Sequence, residues 1–200
     1  RASLRALHSP VNVAGGPGAI SAGLRELGVE STLLVFNERP FERGFDVNLE
    51  LRDTSRAGSI PFNLPKQLRA LAWALPRFDL FHFHAGLTLA PQRLTLALLR
   101  ARRKGVVFQS WGSDLRGRPA SDAQYLRKAG AVIVGSYLTR RLAPRGPWPD
   151  YDVVPPAIVL HDWEPSPVEP GEVLRVAHAP SKRRVKGTEA VLAAVEALQR

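Results

Sequence analysis

The chain contains no cysteine and no methionine. Without cysteine there is no disulfide framework and no thiolate zinc site. The same lack suits a reducing compartment, so a cytoplasmic location is expected, with room for peripheral contact at the inner membrane face. No apolar run approaches the ~18 residues that suggest a spanning helix. The opening RASLRALHSP is too short and soon too polar for a secretory signal. Because methionine is missing even at position 1, the sequence reads as a fragment whose natural start and end are both cut. There is no internal repeat of short period and no low-complexity tract. Acids are scarce against bases, 18 to 28, leaving a net charge of +10. The bases (Arg25, Arg39, Arg52, Arg77, Arg102, Arg127, Arg145) are spread along the chain rather than gathered in one block. That distribution describes a generally basic soluble surface first, a membrane-surface role second, and no nucleic-acid partner.

What is present is a steady alternation. With 44% hydrophobic residues there is material for a real core, and strand-length apolar runs trade places with helical patterns throughout. Strands are expected at Ser3–His8, Val29–Phe36, Phe45–Leu51, Phe78–His84, Gly105–Ser110, Ala131–Gly135 and Tyr151–Pro155. Helices are expected at Ala19–Leu27, Leu64–Leu75, Pro91–Arg103, Ser121–Lys128 (capped by Ser121) and Tyr137–Ala143. This succession implies an α/β fold, an open parallel, doubly wound, Rossmann-like sheet with helices on both faces. Prolines then crowd between Pro155 and Gly171. After them comes a further strand, Leu174–His178, a loop with Lys182, Arg183, Arg184 and Lys186, and a helix opening at Gly187–Thr188. We read residues 1–160 as one Rossmann-like domain, 161–172 as a linker, and 173–200 as the first strand–loop–helix unit of an incomplete second domain.

In such sheets ligands bind at the carboxyl ends of strands. The first strand ends in Asn12-Val13-Ala14-Gly15-Gly16-Pro17-Gly18, where glycines let backbone approach a phosphate or sugar, or simply make a tight turn. No Gly-Lys-Ser/Thr follows, so it is not a Walker loop. As a dinucleotide fingerprint it has Ser21 where the third glycine belongs, with Glu38, about twenty residues on, as a candidate ribose acid. On Phe78–His84, His82 and His84 share one face and Phe81 and Phe83 the other. No third ligand is evident beside this pair, so no metal is expected; the alternative is a histidine hydrogen-bonded at the sheet edge. After the fifth strand, Trp111-Gly112-Ser113-Asp114 offers a freed turn and a carboxylate suited to sugar hydroxyls, or a capped turn. Gly135-Ser136 either contacts ligand or caps the next helix. In the last segment, a basic loop before a helix N-terminus suits a phosphate or diphosphate.

Taken in order, LHSPVNVAGGPG, RELG, FDLFHFH, WGSDLR, AVIVGS, VVPPAI and AHAPSKRRVKGT resemble the retaining glycosyltransferases of family 4 type, which have the GT-B fold of two facing Rossmann-like domains. The resemblance implies transfer of a sugar from a nucleotide-sugar donor to an acceptor hydroxyl with retention and without a required metal or cofactor. The acceptor, a lipid, polysaccharide or small molecule, meets the first domain, and the nucleotide the second. It implies that Gly15 and Gly16 approach the donor diphosphate and that Lys186, with Gly187 and Thr188, neutralises it as it leaves. The arginine that many members place six residues before that lysine is Pro180 here, so Arg183 or Arg184 takes its part. Trp111 stands where many members have a histidine, and His84 is the stand-in. Asn12, His84, Trp111, Asp114 and Ser136 are the implied sugar or acceptor contacts. The family's pair of glutamates eight apart is not in this chain, so the fragment alone is expected to be inactive, with Val191, Val195 and Leu198 poorly covered. A non-catalytic binding module on the same scaffold is the second reading. A nucleotide-binding oxidoreductase or epimerase is the third.

Overall fold

In the computed structural model, which describes residues 3–40, 42, 44–53, 56–159, 164, 177–180, 183 and 186–198, the chain divides into two units, Arg1–Asp162 and Trp163–Arg200. The first is built on one seven-stranded sheet in the order β3-β2-β1-β4-β5-β6-β7. Its strands are β1 Arg5–Ser9, β2 Glu30–Val35, β3 Val47–Asn48, β4 Leu80–His84, β5 Gly105–Ser110, β6 Ala131–Val134 and β7 Tyr151–Val153. Every pairing is parallel. The helices are α1 Gly16–Glu26, α2 Ile60–Ala74, α3 Gln92–Ala101 and α4 Tyr137–Leu142, with a 3-10 segment at Ala120–Lys128 between β5 and β6. This is the expected Rossmann-like, doubly wound α/β architecture.

Strand alternation sets the layers. Phe81 and Phe83 face one side of β4 and join Leu7, Leu34 and Phe108 in a core covered by Ala70, Leu71 and Ala74 of α2 and Leu96 and Leu99 of α3. On the other side, α1 lies against β2, where Ser21 and Ser31 share a buried hydroxyl hydrogen bond of 2.7 Å. Right-handed crossovers require this split: the chain moves outward from β1 to β2 and β3, then returns past β1 to β4 and onward, so later helices fall on the opposite face. The serine at the missing third glycine thus packs α1 onto the sheet.

Several boundaries differ from expectation for identifiable reasons. Helix α1 starts at Gly16, inside the expected loop, because Pro17 presets the first helical turn and Gly15 takes the left-handed conformation before it (φ 74°). Helix α2 starts at Ile60, with Pro61 in its first turn, and Asn63 exchanges two hydrogen bonds with the backbone of Arg52 (2.8 and 3.0 Å). The expected strand Phe45–Leu51 shrinks to Val47–Asn48, because Glu50 turns the chain at φ 49° and its N–H donates to Asn48 Oδ1. Ser121 does not cap a helix. The segment begins after Pro119, and the Ser121 hydroxyl donates to Asp122. Its two buried residues, Ala123 and Leu126, are three apart, which is the 3-10 repeat.

In the second unit, α5 runs Thr188–Leu198, and the N–H groups of Ala190 and Val191 both reach the Gly187 carbonyl. Val191 and Val195 are half-buried and Leu198 exposed. The expected strand Leu174–His178 falls largely outside the described residues; Ala177 and His178, which are described, are not in a strand. Among the described residues no helix is long and apolar enough to cross a membrane.

Phe83 is fully buried among aromatics. Phe83→Ala is therefore expected to cost about 3–5 kcal/mol in urea unfolding. A loss below 1 kcal/mol would mean that this face is not the core.

Candidate functional site

The order of the sheet reverses between β1 and β4, and the chemistry collects there. Following β1, Val13–Gly15 forms a 3-10 turn in which Ala14 has φ 52°. The amides of this turn are committed to holding its own shape. Gly15 N–H donates to the Asn12 carbonyl (3.2 Å), Gly16 N–H to the Val13 carbonyl, and Gly18 N–H to Asn12 Oδ1 (2.9 Å). Ala14 N–H is taken by the Glu42 carboxylate at 3.1 Å, so an anionic group of the chain already lies at this loop. Asn12, 2% exposed, is a clamp for the loop, its amide also reaching the Glu42 carbonyl. The space expected of the two glycines exists only at Gly15. A Cβ on Gly16 would come within 2.1 Å of the Trp111 indole, whereas one on Gly15 would meet nothing within 4 Å.

The sheet register supplies a residue that sequence reasoning missed. His8 on β1 is paired directly with His82 on β4, on the face that His84 shares. His8, His82 and His84 are 0%, 6% and 0% exposed. Their ring centroids lie 4.9 Å (His8–His82), 4.4 Å (His82–His84) and 5.6 Å (His8–His84) apart. Trp111, from the end of β5, donates its indole N–H to His84 Nδ1 at 3.3 Å. An indole N–H can only donate, so the His84 proton sits on Nε2 and points to His8 Nδ1, 3.4 Å away. His8 then carries its own proton on Nε2. That atom, His82 Nε2, Ser9 Oγ, Gln109 Oε1 and Asp114 Oδ2 are buried with no partner among the described residues. All five lie on β1, β4 and β5 or in the turn that follows β5.

Burial pushes the His8 pKa down to about 4, helped by the positive charge of Arg25. His82 falls to about 3, again mainly from burial and then from His8, with the Gln109 amide pulling the other way. His84 lies well below its ordinary value, mainly from burial and then from His82 and His8. The three imidazoles are therefore neutral at pH 7.

The remaining expected contacts are placed as follows. Asp114 Oδ1 accepts from Ser110 Oγ (2.9 Å) and Trp111 N–H (3.0 Å), so it shapes the turn after β5, leaving only Oδ2 uncommitted. Ser136 caps α4, accepting from Thr139 N–H at 3.1 Å. Thus Asn12, Gly16, His84 and Trp111 are brought together, Asp114 is tied to Trp111, and Ser136 serves its helix. In the second unit, Arg183 bonds the Glu189 carboxylate at 3.2 Å. Thr188 pairs with His178 at 3.0 Å, while Lys186 and Gly187 are exposed. Arg184 lies outside the described residues. A cavity of about 820 Å³ between α3 and the 3-10 segment is lined by Arg93, Arg100, Tyr125 and Lys128 and by none of the histidines. Compared with models of known families the chain matches none, and it matches no curated protein.

Two outcomes are expected. Because the histidine pKa values are lower folded than unfolded, the unfolded chain binds protons first and acid favours it. Stability from this source is complete above about pH 6.5 and declines as pH falls toward about 4 for His8 and about 3 for His82. Urea midpoints between pH 7 and 4 should drop, and less steeply in His82→Gln; equal slopes would refute the assignment. Separately, Gly16→Ala should displace the indole, shifting tryptophan emission and destabilising the fold, and Trp111→Ala should remove most of that penalty. Additive losses in the double variant would show that the two do not touch.

Proposed function

We propose that the chain carries the acceptor-side domain and part of the nucleotide-sugar-binding unit of a retaining glycosyltransferase of family 4 type. The observation that supports this best is the reversal between β1 and β4. There a glycine turn with open space at Gly15, a buried His84 and the Trp111–Asp114 turn meet at strand carboxyl ends, where open α/β sheets take ligands. An exposed lysine beside a helix start in the second unit adds a cation suited to a diphosphate. In the proposed reaction the anomeric C–O bond to the nucleoside diphosphate breaks. The acceptor oxygen bonds to the anomeric carbon on the same face, and the acceptor proton goes to the departing phosphate oxygen. Negative charge grows on that diphosphate in the transition state, so a fixed cation and a helix N-terminus stabilise it most where it matters. Lys186 supplies the cation, with Arg183 beside it once released from Glu189.

A second reading, a binding module without turnover, is favoured by one observation: the Gly15, Gly16 and Gly18 amides are used within their own loop. The two readings separate cleanly by assay. In the protein carrying this chain, release of nucleoside diphosphate from a panel of nucleotide-sugars should depend on acceptor and fall by about 10²–10³ in Lys186→Ala. Unfolding should be unchanged, since Lys186 is exposed. Binding without release supports the module; turnover indifferent to Lys186 removes that lysine from the reaction.

A further inference from the structure

One nitrogen from each of His8, His82 and His84 lies within 4.8 Å of the other two, the one such group of three among the described residues. His8 Nδ1 and His84 Nε2 are 3.4 Å apart. Two nitrogens on one tetrahedral ion, each at about 2.0–2.1 Å, are separated by roughly 3.3 Å. The chain from Trp111 through His84 to His8 accounts for that pair as a hydrogen bond, but not for the rest. His82 Nε2 stays buried and unpartnered, with no hydrogen bond to lose on taking an ion. The in-register pairing of His8 with His82 and the two-residue step to His84 give a rigid, all-strand platform. We propose that His8, His82 and His84 form a binding site for one divalent ion of the zinc class, with water as the fourth ligand.

The donor set selects the ion. Three imidazoles without a carboxylate suit zinc, cobalt or nickel and offer little to magnesium or calcium, which want oxygen. The site also has a built-in competitor. An imidazole that gives Nε2 to a metal holds its proton on Nδ1, and His84 can then no longer accept from the Trp111 indole. The Trp111–His84 hydrogen bond and the ion are mutually exclusive, so binding releases Trp111. That residue is half-buried against His84, and its movement uncovers the site. The ion would clamp β1 to β4 whether or not the protein transfers sugar, so this inference does not depend on the reaction proposed above.

Chelator-treated protein is titrated with Zn²⁺ against a chromophoric competitor, and with Co²⁺ to read the visible bands of a four-coordinate nitrogen site. One ion per chain is expected, with a change in tryptophan emission on binding. His82→Gln and His84→Asn should each weaken binding by roughly 100-fold or more, and His178→Ala should change nothing. Trp111→Phe removes the competing donor and should tighten binding by about 3–10-fold, the worth of one hydrogen bond. Binding that is lost in His178→Ala, or an octahedral Co²⁺ spectrum, overturns the proposal. Should a histidine variant fail to fold, imidazole ¹⁵N resonances of the unaltered protein decide: shifts at His8, His82 and His84 on adding Zn²⁺ support the site, and their absence overturns it.

Discussion

The reversal of strand order between β1 and β4 is the constraint from which the rest follows. Parallel strands need crossovers, crossovers are right-handed, and a chain that winds first one way and then the other must leave one pair of neighbours whose connections depart to opposite faces. Here that pair is β1 and β4. No helix is threaded directly over their carboxyl ends, so the loops after β1, β4 and β5 are free to converge. The aromatic core on the opposite face, Phe81, Phe83 and Phe108, holds the strands in the register that makes the convergence reproducible.

At this point the molecule accepts an unusual amount of buried polarity. Three imidazoles are packed where a doubly wound sheet ordinarily places aliphatic residues. Burial keeps them neutral, and a single chain of hydrogen bonds, begun by the Trp111 indole, orders two of them. The glycine loop is saturated in the opposite sense: its amides are spent on Asn12, Val13 and Glu42. The loop is therefore stiff, with open space only at Gly15. Trp111 joins these two halves, lying against both Gly16 and His84. Any ligand that enters at the reversal must displace or pack against that indole.

Much of the fold was legible in the residues. Period-two patterns, proline at helix starts and glycine at helix ends located every strand of the sheet and each helix of the first unit. The errors came where a local signal was overridden. The pattern of Phe45–Leu51 reads as a strand, but the side chains of Asp46 and Asn48 and the turn at Glu50 end the pairing after two residues. Ser121 is a good cap by type, yet a proline two residues earlier starts the segment first. Of the site, the shared face of His82 and His84 was legible because neighbours two apart on a strand cannot do otherwise.

His8 was not legible, nor was the partnership of Trp111 with Gly16. His8 lies 74 residues before His82, and only the adjacency of β1 and β4 in that register brings the two side by side. The glycine at position 16 looks like room for a ligand until the indole 95 residues later is seen to occupy it. Periodicity and turn chemistry act over a few residues, so the amino-acid sequence by itself determined the elements, their order and which side chains share a strand face. Strand adjacency, tautomers and the identity of what fills each gap depend on contacts between distant segments, and only the tertiary structure decided those.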